Sequence, residues 1–488
     1  MDYEKAIELD ANDATVYGNL AQAQYDKGEL NDAITNYDKD IELNPNSAVV
    51  YAMRSLPESD NGDFDKAIAD CNQAIKLKPD YAQGYNNRGY AKYDKGDLDG
   101  AIADYEKAIG LDTNDATMYG NLALAQYNKG ELNDAISNYE KQIELNPDDA
   151  KAHDNRSQAE NDNSDYDNAI ADCNQAIELN TNDAEAYNNR GNAKYDKGDL
   201  DGATRDYEKA IELKPDYEIA YDNRSVARND NGDYSGAIAD ATKAIELDTN
   251  DATAYNNRGL AKYNNGDMDG AITDYEKAIG LNTNDATTYG NLARAYYDKG
   301  NLNQAITNYD QEIELNPNDS GTYANRSLPE SDNGDYDKAI ADCNKAIEIN
   351  TNNVEAYNNR GYAKYYKGDL VGAIKDYDKT IELKPDYEIA FVNRSLARND
   401  HGDYQDAISD ATKAIELDTH DATAYNDRGL AKYNLKIYDD AISDFSKAIE
   451  LNPNDATVYS NRANAKQAKG DKKGAKSDKA KAAELNAK

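Results

Sequence analysis

The sequence predicts an all-α fold, an α-solenoid of helix–turn–helix units 34 residues long, and three observations carry that prediction. One pattern returns every 34 residues from Ala14 onward, the apolar residues inside each copy keep helical spacing, and glycine recurs at one place between two helical stretches. The 488 residues divide without remainder into 13 leading residues, thirteen full units and a last unit of 33. The expected organisation is a half repeat over 1–13 (second helix only), thirteen tandem units over 14–455, and a Lys-rich capping repeat over 456–488. One helix pair cannot bury its own apolar face, so its neighbour must cover it.

Residues 1–13 match only the second half of a unit, with Tyr3, Ala6, Ile7 and Leu9 in the columns of Tyr37, Asp40, Ile41 and Leu43. In the unit from Ala14, Tyr17, Leu20, Ala21 and Gln24 fall at i, i+3, i+4 and i+7 and predict a first helix, with Asn19, Gln22 and Asp26 on its other side. Leu30, Ala33, Ile34, Tyr37 and Ile41 repeat the spacing in a second helix. Gly28 lies between the two. Its column holds Gly in twelve of fourteen units, as a left-handed helix cap demands, with Ser164 and Lys436 as the exceptions. Pro45 and its equivalents, such as Pro79 and Pro147, end the second helix. The Ala33 column is Ala throughout and the Ala21 column only Gly, Ala or Ser, so helices can approach closely while tyrosines fill the flanks. In the last unit Lys472, Lys476 and Lys479 replace Leu30, Ile34 and Tyr37.

A formal net charge of −39 argues against nucleic acid and against an anionic membrane as partners, since both demand a basic surface. No apolar run approaches the ~18 residues of a membrane span. The start, Met-Asp-Tyr-Glu-Lys-Ala-Ile, lacks a signal peptide's basic and apolar stretches, so a cytoplasmic location is expected. Cys71, Cys173 and Cys343 share the Tyr37 column and read as buried small hydrophobes, too sparse for a metal site or a disulfide framework. His153 stands in for a Tyr17 equivalent, His401 and His420 lie in turns without a companion nucleophile, and no phosphate-binding glycine loop is present. Neither enzymatic activity nor a cofactor is expected.

The unit from 184 reads Ala-Glu-Ala-Tyr187-Asn-Asn-Arg-Gly191-Asn-Ala-Lys-Tyr, then Gly198, Leu200, Ala203, Tyr207, Ala210 and Pro215. This pattern resembles the tetratricopeptide repeat family, with Tyr in place of the family's usual Trp and Arg190 in place of its Leu. The resemblance covers essentially the whole chain in fourteen registered copies. It implies a right-handed superhelix whose first helices line a concave groove, and it implies no reaction.

Comparison of the copies exposes a co-variation. Arg occupies the Leu20 column in eleven units, for example Arg54, Arg88, Arg190 and Arg428, and each of these has Asp in the Asn36 column (Asp70, Asp104, Asp206, Asp444). The three units with Leu, at Leu20, Leu122 and Leu292, have Asn36, Asn138 and Asn308 instead. An ion pair between the two helices of a unit, with the Arg laid along a Tyr, explains this and makes those arginines structural. Pro57 and Pro329 replace a small residue inside the first helix and predict a kink or early fraying there. The segment 55–63 recurs at 327–335, so whole blocks have been copied.

The sharpest surface candidate is a column of asparagines comprising Asn19, Asn87, Asn121, Asn155, Asn189, Asn223, Asn257, Asn291, Asn325, Asn359 and Asn393, expected opposite the packed face of the first helix. A carboxamide offers both donor and acceptor, as an extended peptide backbone requires. The family resemblance implies the same, since superhelices with asparagine ladders bind peptides this way. Asp26, Asp94, Asp196, Asp230 and Asp298, with Tyr25, Tyr93, Tyr195 and Tyr263 one residue earlier, would favour a polar or basic ligand. Asp230–Asp233 is expected to be a helix–helix turn, not a calcium loop, because the later Glu ligand is missing. Asn-x-Ser sequences at Asn155, Asn223, Asn318, Asn325 and Asn393 match glycosylation acceptors without an accompanying export signal.

Two functions fit these features. The first is a non-enzymatic scaffold for protein–protein interaction that binds extended peptide along the Asn-lined groove. The second is a structural protomer that self-associates head-to-tail into a filament, which would place it outside the cell. Its support is charge polarity: residues 456–488 hold nine Lys or Arg against three Asp or Glu, a net of +6, leaving −45 on the remainder.

Overall fold

The computed structural model describes residue 5 and residues 10–487; Tyr3, Ala6, Ile7 and Leu9 of the leading half repeat lie outside the described residues. Among the described residues there are 28 α-helices and no strand. They form two compact bodies, one through Thr249 and one from Asn250. The first body holds seven helix pairs, from α1 (Ala14–Tyr25) with α2 (Leu30–Leu43) to α13 (Glu218–Asp230) with α14 (Tyr234–Leu247). The second holds seven more, from α15 (Ala252–Asn264) with α16 (Met268–Leu281) to α27 (Ala456–Lys469) with α28 (Lys472–Asn486). None of the described helices is long and apolar enough to cross a membrane.

The turn inside each pair depends on one left-handed residue. Gly28 has φ 78° and Gly198 φ 91°, and Ser164 and Lys436 are held at φ 63° and 65° without glycine's freedom. Most first helices start on an aspartate whose carboxylate accepts a first-turn backbone N–H, as Asp115 does from Thr117; Ser47, Tyr81, Tyr217, Asn353 and Tyr387 stand there in the other units.

Packing within a pair trades size between two columns. A Cβ added to Gly191 would come within 2.5 Å of Tyr207 Cε1, so in this unit the ring is seated against glycine, whereas Tyr37 and Tyr139 of the Leu units pack beside Ala21 and Ala123. Where the ring is replaced by Cys173, the facing residue is Ser157, and Ala241 likewise faces Ser225. The three cysteines are free thiols fully removed from solvent, as expected. Between successive pairs the second helix presents its ring to the next first helix, as Phe445 packs with Val458 and Ala465.

The Arg–Asp pairing is present in all eleven units that carry it. Arg190 Nε and Nη2 donate to the two oxygens of Asp206 at 2.8 and 2.6 Å, and its guanidinium carbon lies 5.2 Å from the Tyr187 ring centroid. The other ten Arg make the same two bonds; Arg224 with Asp240 and Arg462 with Asp478 are examples. Two further partners were not foreseen. In eight of the eleven units a second cation four residues after the Arg joins the same carboxylate, as Lys194 does at 2.6 Å and Arg228 does on Asp240; Glu58, Glu160 and Glu330 stand there in the other three. The third guanidinium nitrogen reaches the preceding unit, where Arg190 Nη1 donates to Asn174 Oδ1 at 2.6 Å and Arg394 Nη1 to Asp378 Oδ1 at 2.6 Å. One side chain thus fixes a helix pair and its junction with the pair before.

The expectation for Pro57 and Pro329 needs correcting as to fraying. Their helices, Ala48–Asp60 and Ser320–Asp332, are as long as that of Ala82–Asp94. Each proline sits in the last turn, so little helix lies beyond it to detach. Both rings are buried, and the Asn61 N–H still closes onto the Pro57 carbonyl at 3.1 Å.

Candidate functional site

The asparagine column lies where one first helix meets the next, and this decides what its amides do. Asn189 Nδ2 donates to Asp154 Oδ1 at 2.7 Å, thirty-five residues back. Asn121, Asn223, Asn291 and Asn393 donate to the side chains of Asn86, Asn188, Asn256 and Asn358 at 3.0–3.2 Å. Where the residue thirty-five back is alanine, the amide takes that residue's backbone carbonyl instead, as Asn87 does from Ala52 and Asn359 from Ala324. The placement opposite the packed face is therefore corrected for Asn87, Asn189 and Asn359, which are only 3%, 8% and 7% exposed because the neighbouring first helix covers them. Asn19 and Asn325 are exposed; Asn121, Asn155, Asn223, Asn257, Asn291 and Asn393 are half-buried. At Asp427, where the column departs from Asn, burial pushes the carboxyl up to about 7.

A second row runs beside it. The Tyr195 hydroxyl donates to Asp230 at 2.5 Å in the next unit, Tyr127 to Asp162 at 2.6 Å and Tyr365 to Asp400 at 2.6 Å; Tyr263 bonds Asp298 in the same way. Burial first, and then the bonded carboxylate, push the Tyr195 phenol up to about 12, so it stays a donor at any physiological pH. The acidic residues expected to attract a basic ligand are thus already hydrogen-bonded, though exposed.

In the first body the two rows converge on a pair of adjoining hollows. One, of about 300 Å³, is lined by the carboxamides of Gln158, Asn161, Asn188, Asn189 and Asn192 between Tyr127 and Tyr217. The other, of about 240 Å³, shares Asn161 and Asn192 and adds Tyr195, Asp196 and Asn223. Asn192 Oδ1 accepts from Tyr207 at 2.9 Å and from Asn223 at 3.1 Å, which locks its orientation. Asn161 donates to Asp196 at 2.7 Å while its Oδ1 is shielded from solvent without a partner. A buried carbonyl oxygen left unpaired costs roughly 1–3 kcal/mol, which a ligand N–H would recover. Asn161 and Asn192 stand outside the asparagine column and were missed in the sequence. Each falls in a column where its neighbours carry other residues, so periodicity gave no signal.

The sequence matches models described as TPR repeat over 59–94, 89–130, 226–266 and 331–368, and as tetratricopeptide repeat over 14–47, 121–184, 184–217, 250–318, 354–387 and 422–455. Among solved structures, the APC/C hetero-tetramer Cut9–Hcn1 is similar at 13% identity and a TM-score of 0.51, over 91% of this chain and 95% of that one. Yeast Tom70 matches at 20% identity and a TM-score of 0.39, over 88% and 97%. YrrB, described as a TPR protein with an unusual peptide-binding site, matches at 25% identity and a TM-score of 0.34, over 39% and 98%. No curated protein sequence matches.

Proposed function

As this chain belongs to the tetratricopeptide repeat family, we propose that it is a non-enzymatic scaffold that binds an extended, polar or basic peptide segment along its first helices. The observation that carries this reading is the cluster of carboxamides around the two adjoining hollows, centred on Asn161 and Asn192 and including Asn189 and Asn223 of the column. Amides recognise a peptide backbone irrespective of its side chains, and the unpaired Asn161 Oδ1 supplies an acceptor already desolvated. Asp162 and Asp196 line the same hollows and favour a cationic residue on the ligand. The exposed and half-buried members of the column, Asn19, Asn121, Asn155, Asn257, Asn291, Asn325 and Asn393, extend the same chemistry along the first helices, whereas Asn87 and Asn359 are covered. A peptide array probed with the whole chain tests it. Binding of Lys- or Arg-containing peptides that falls about tenfold in Asn161→Ala and Asn192→Ala supports the reading, and unchanged binding overturns it.

One observation favours head-to-tail self-association as the alternative. In α28, Lys472, Lys476 and Lys479 line a hollow of about 320 Å³ together with Gln467, and Lys479 occupies the column in which Phe445 packs against the following helix. A cationic face in that position suits the acidic surface of a second copy. Sedimentation at low and high salt separates the two readings, since salt-sensitive polymers lost on deleting 456–488 would favour the filament and a monodisperse chain would exclude it.

A further inference from the structure

The unit from 286 lacks the arginine that eleven other units carry, yet it keeps much of the cradle. In the unit from 184, Arg190 lies on the Tyr187 ring, takes both oxygens of Asp206 and donates its third nitrogen to Asn174. The corresponding positions, 102 residues on in the same columns, are Leu292 for the arginine, Tyr289 for the ring, Asn308 for the carboxylate and Glu276 for the acceptor in the preceding unit. These four residues line a hollow of about 300 Å³ between α16, the first helix Ala286–Asp298 and the second helix Leu302–Leu315.

The hollow's polar groups are turned aside from one another. Asn308 Nδ2 donates at 2.8 Å to the Gln304 carbonyl of its own helix, and Glu276 Oε1 accepts from Tyr296 at 2.6 Å. In the other Leu unit with its sequence best preserved, Gln126 Oε1 receives Asn138 Nδ2 at 2.8 Å. Tyr296 replaces that glutamine and bonds Glu276 instead, so the amide pair that would close the space is not made. Glu276 is the one charged group among the residues lining the hollow.

We propose that this hollow binds in trans the group its siblings hold in cis, the guanidinium of an arginine side chain presented by another polypeptide. The Tyr289 face supplies the platform, the Glu276 carboxylate the counter-charge and the Asn308 Oδ1 a further acceptor. A lysine ammonium lacks the planar fork that the sibling units use, and a citrulline lacks the charge. The site is built largely from second-helix residues and does not depend on the carboxamide groove.

Calorimetric titration of the whole chain with three blocked tripeptides, Gly-Arg-Gly, Gly-Lys-Gly and Gly-citrulline-Gly, tests this, with free arginine amide as a fourth arm to separate a peptide-borne guanidinium from a free one. The arginine peptide should bind about tenfold more tightly than the lysine peptide and the citrulline peptide should not bind. The double variant Leu292→Arg/Asn308→Asp rebuilds the internal pair at unchanged net charge and should abolish that preference while folding normally by circular dichroism. Glu276→Gln should weaken the arginine peptide about tenfold, whereas Asn192→Ala in the groove should leave it unchanged. Equal binding of the arginine and lysine peptides, tighter binding of free arginine amide than of the peptide, or full binding by the rebuilt double variant overturns the proposal.

Discussion

Glu160 Oε1 lies 3.7 Å from Arg156 Nε, but that guanidinium is already committed to Asp172, so the glutamate is buried beside a satisfied ion pair and not within one. Its Oε2 has no partner, and burial followed by the Asp172 charge pushes its carboxyl up to about 8. Glu58 and Glu330 occupy the same column with the same direction of shift. A carboxyl raised on folding contributes stability that is complete below its unfolded value, roughly 4.3, and is lost as pH climbs through the folded value. The melting temperature should therefore fall from pH 5 towards pH 9, and Glu160→Gln should melt higher than the native chain at pH 9 and alike at pH 5.

Removing the arginine of the Arg190–Asp206 pair leaves a buried carboxylate with Lys194 as its remaining cation. Arg190→Leu should cost about 2–3 kcal/mol in urea unfolding. Adding Asp206→Asn reproduces the combination found at Leu122 and Asn138, and most of that loss should return. A double variant no more stable than the single one would show that the charge pair is not what the column records.

The thiol of Cys173 is fully buried, and burial pushes it up to about 12. An aromatic disulfide reagent at pH 8 should label none of the three cysteines in the folded chain and all three in urea. Rapid labelling without denaturant would mean that the helix pairs open far more readily than their packing implies.

Lys436 carries φ 65° at a site where twelve units place glycine. Lys436→Gly should raise stability by ~0.5–1 kcal/mol, the left-handed strain of a Cβ exceeding the entropy that glycine loses. The same change at Ser164 should act alike, and a loss of melting temperature in both would contradict it.

Much of this architecture was legible because the chain is its own alignment. The helix spacing around Tyr187 and Tyr207, the turn at Gly198 and the Arg190–Asp206 pair all follow from columns that repeat or change together. The third bond of Arg190 was not legible, since its acceptor sixteen residues back is Asn174 in one unit and Asp378 or Thr412 in others, and any oxygen serves. The burial of Asn189 escaped for another reason. A helical wheel drawn on one unit omits the first helix of the unit before, and that helix is what covers it.

The tolerance of Arg for its acceptor in the unit before has a consequence for how such a chain changes length. Asp378, Asn174, Thr412 and Ser446 all satisfy the same nitrogen. A recombination event that inserts or removes a whole number of 34-residue blocks therefore brings together two surfaces that have never met and still leaves their shared cation paired. Joints with so little preference for their neighbours let the array lengthen or shorten without a matching second mutation, and the copied segment at 55–63 and 327–335 is what such a history leaves behind.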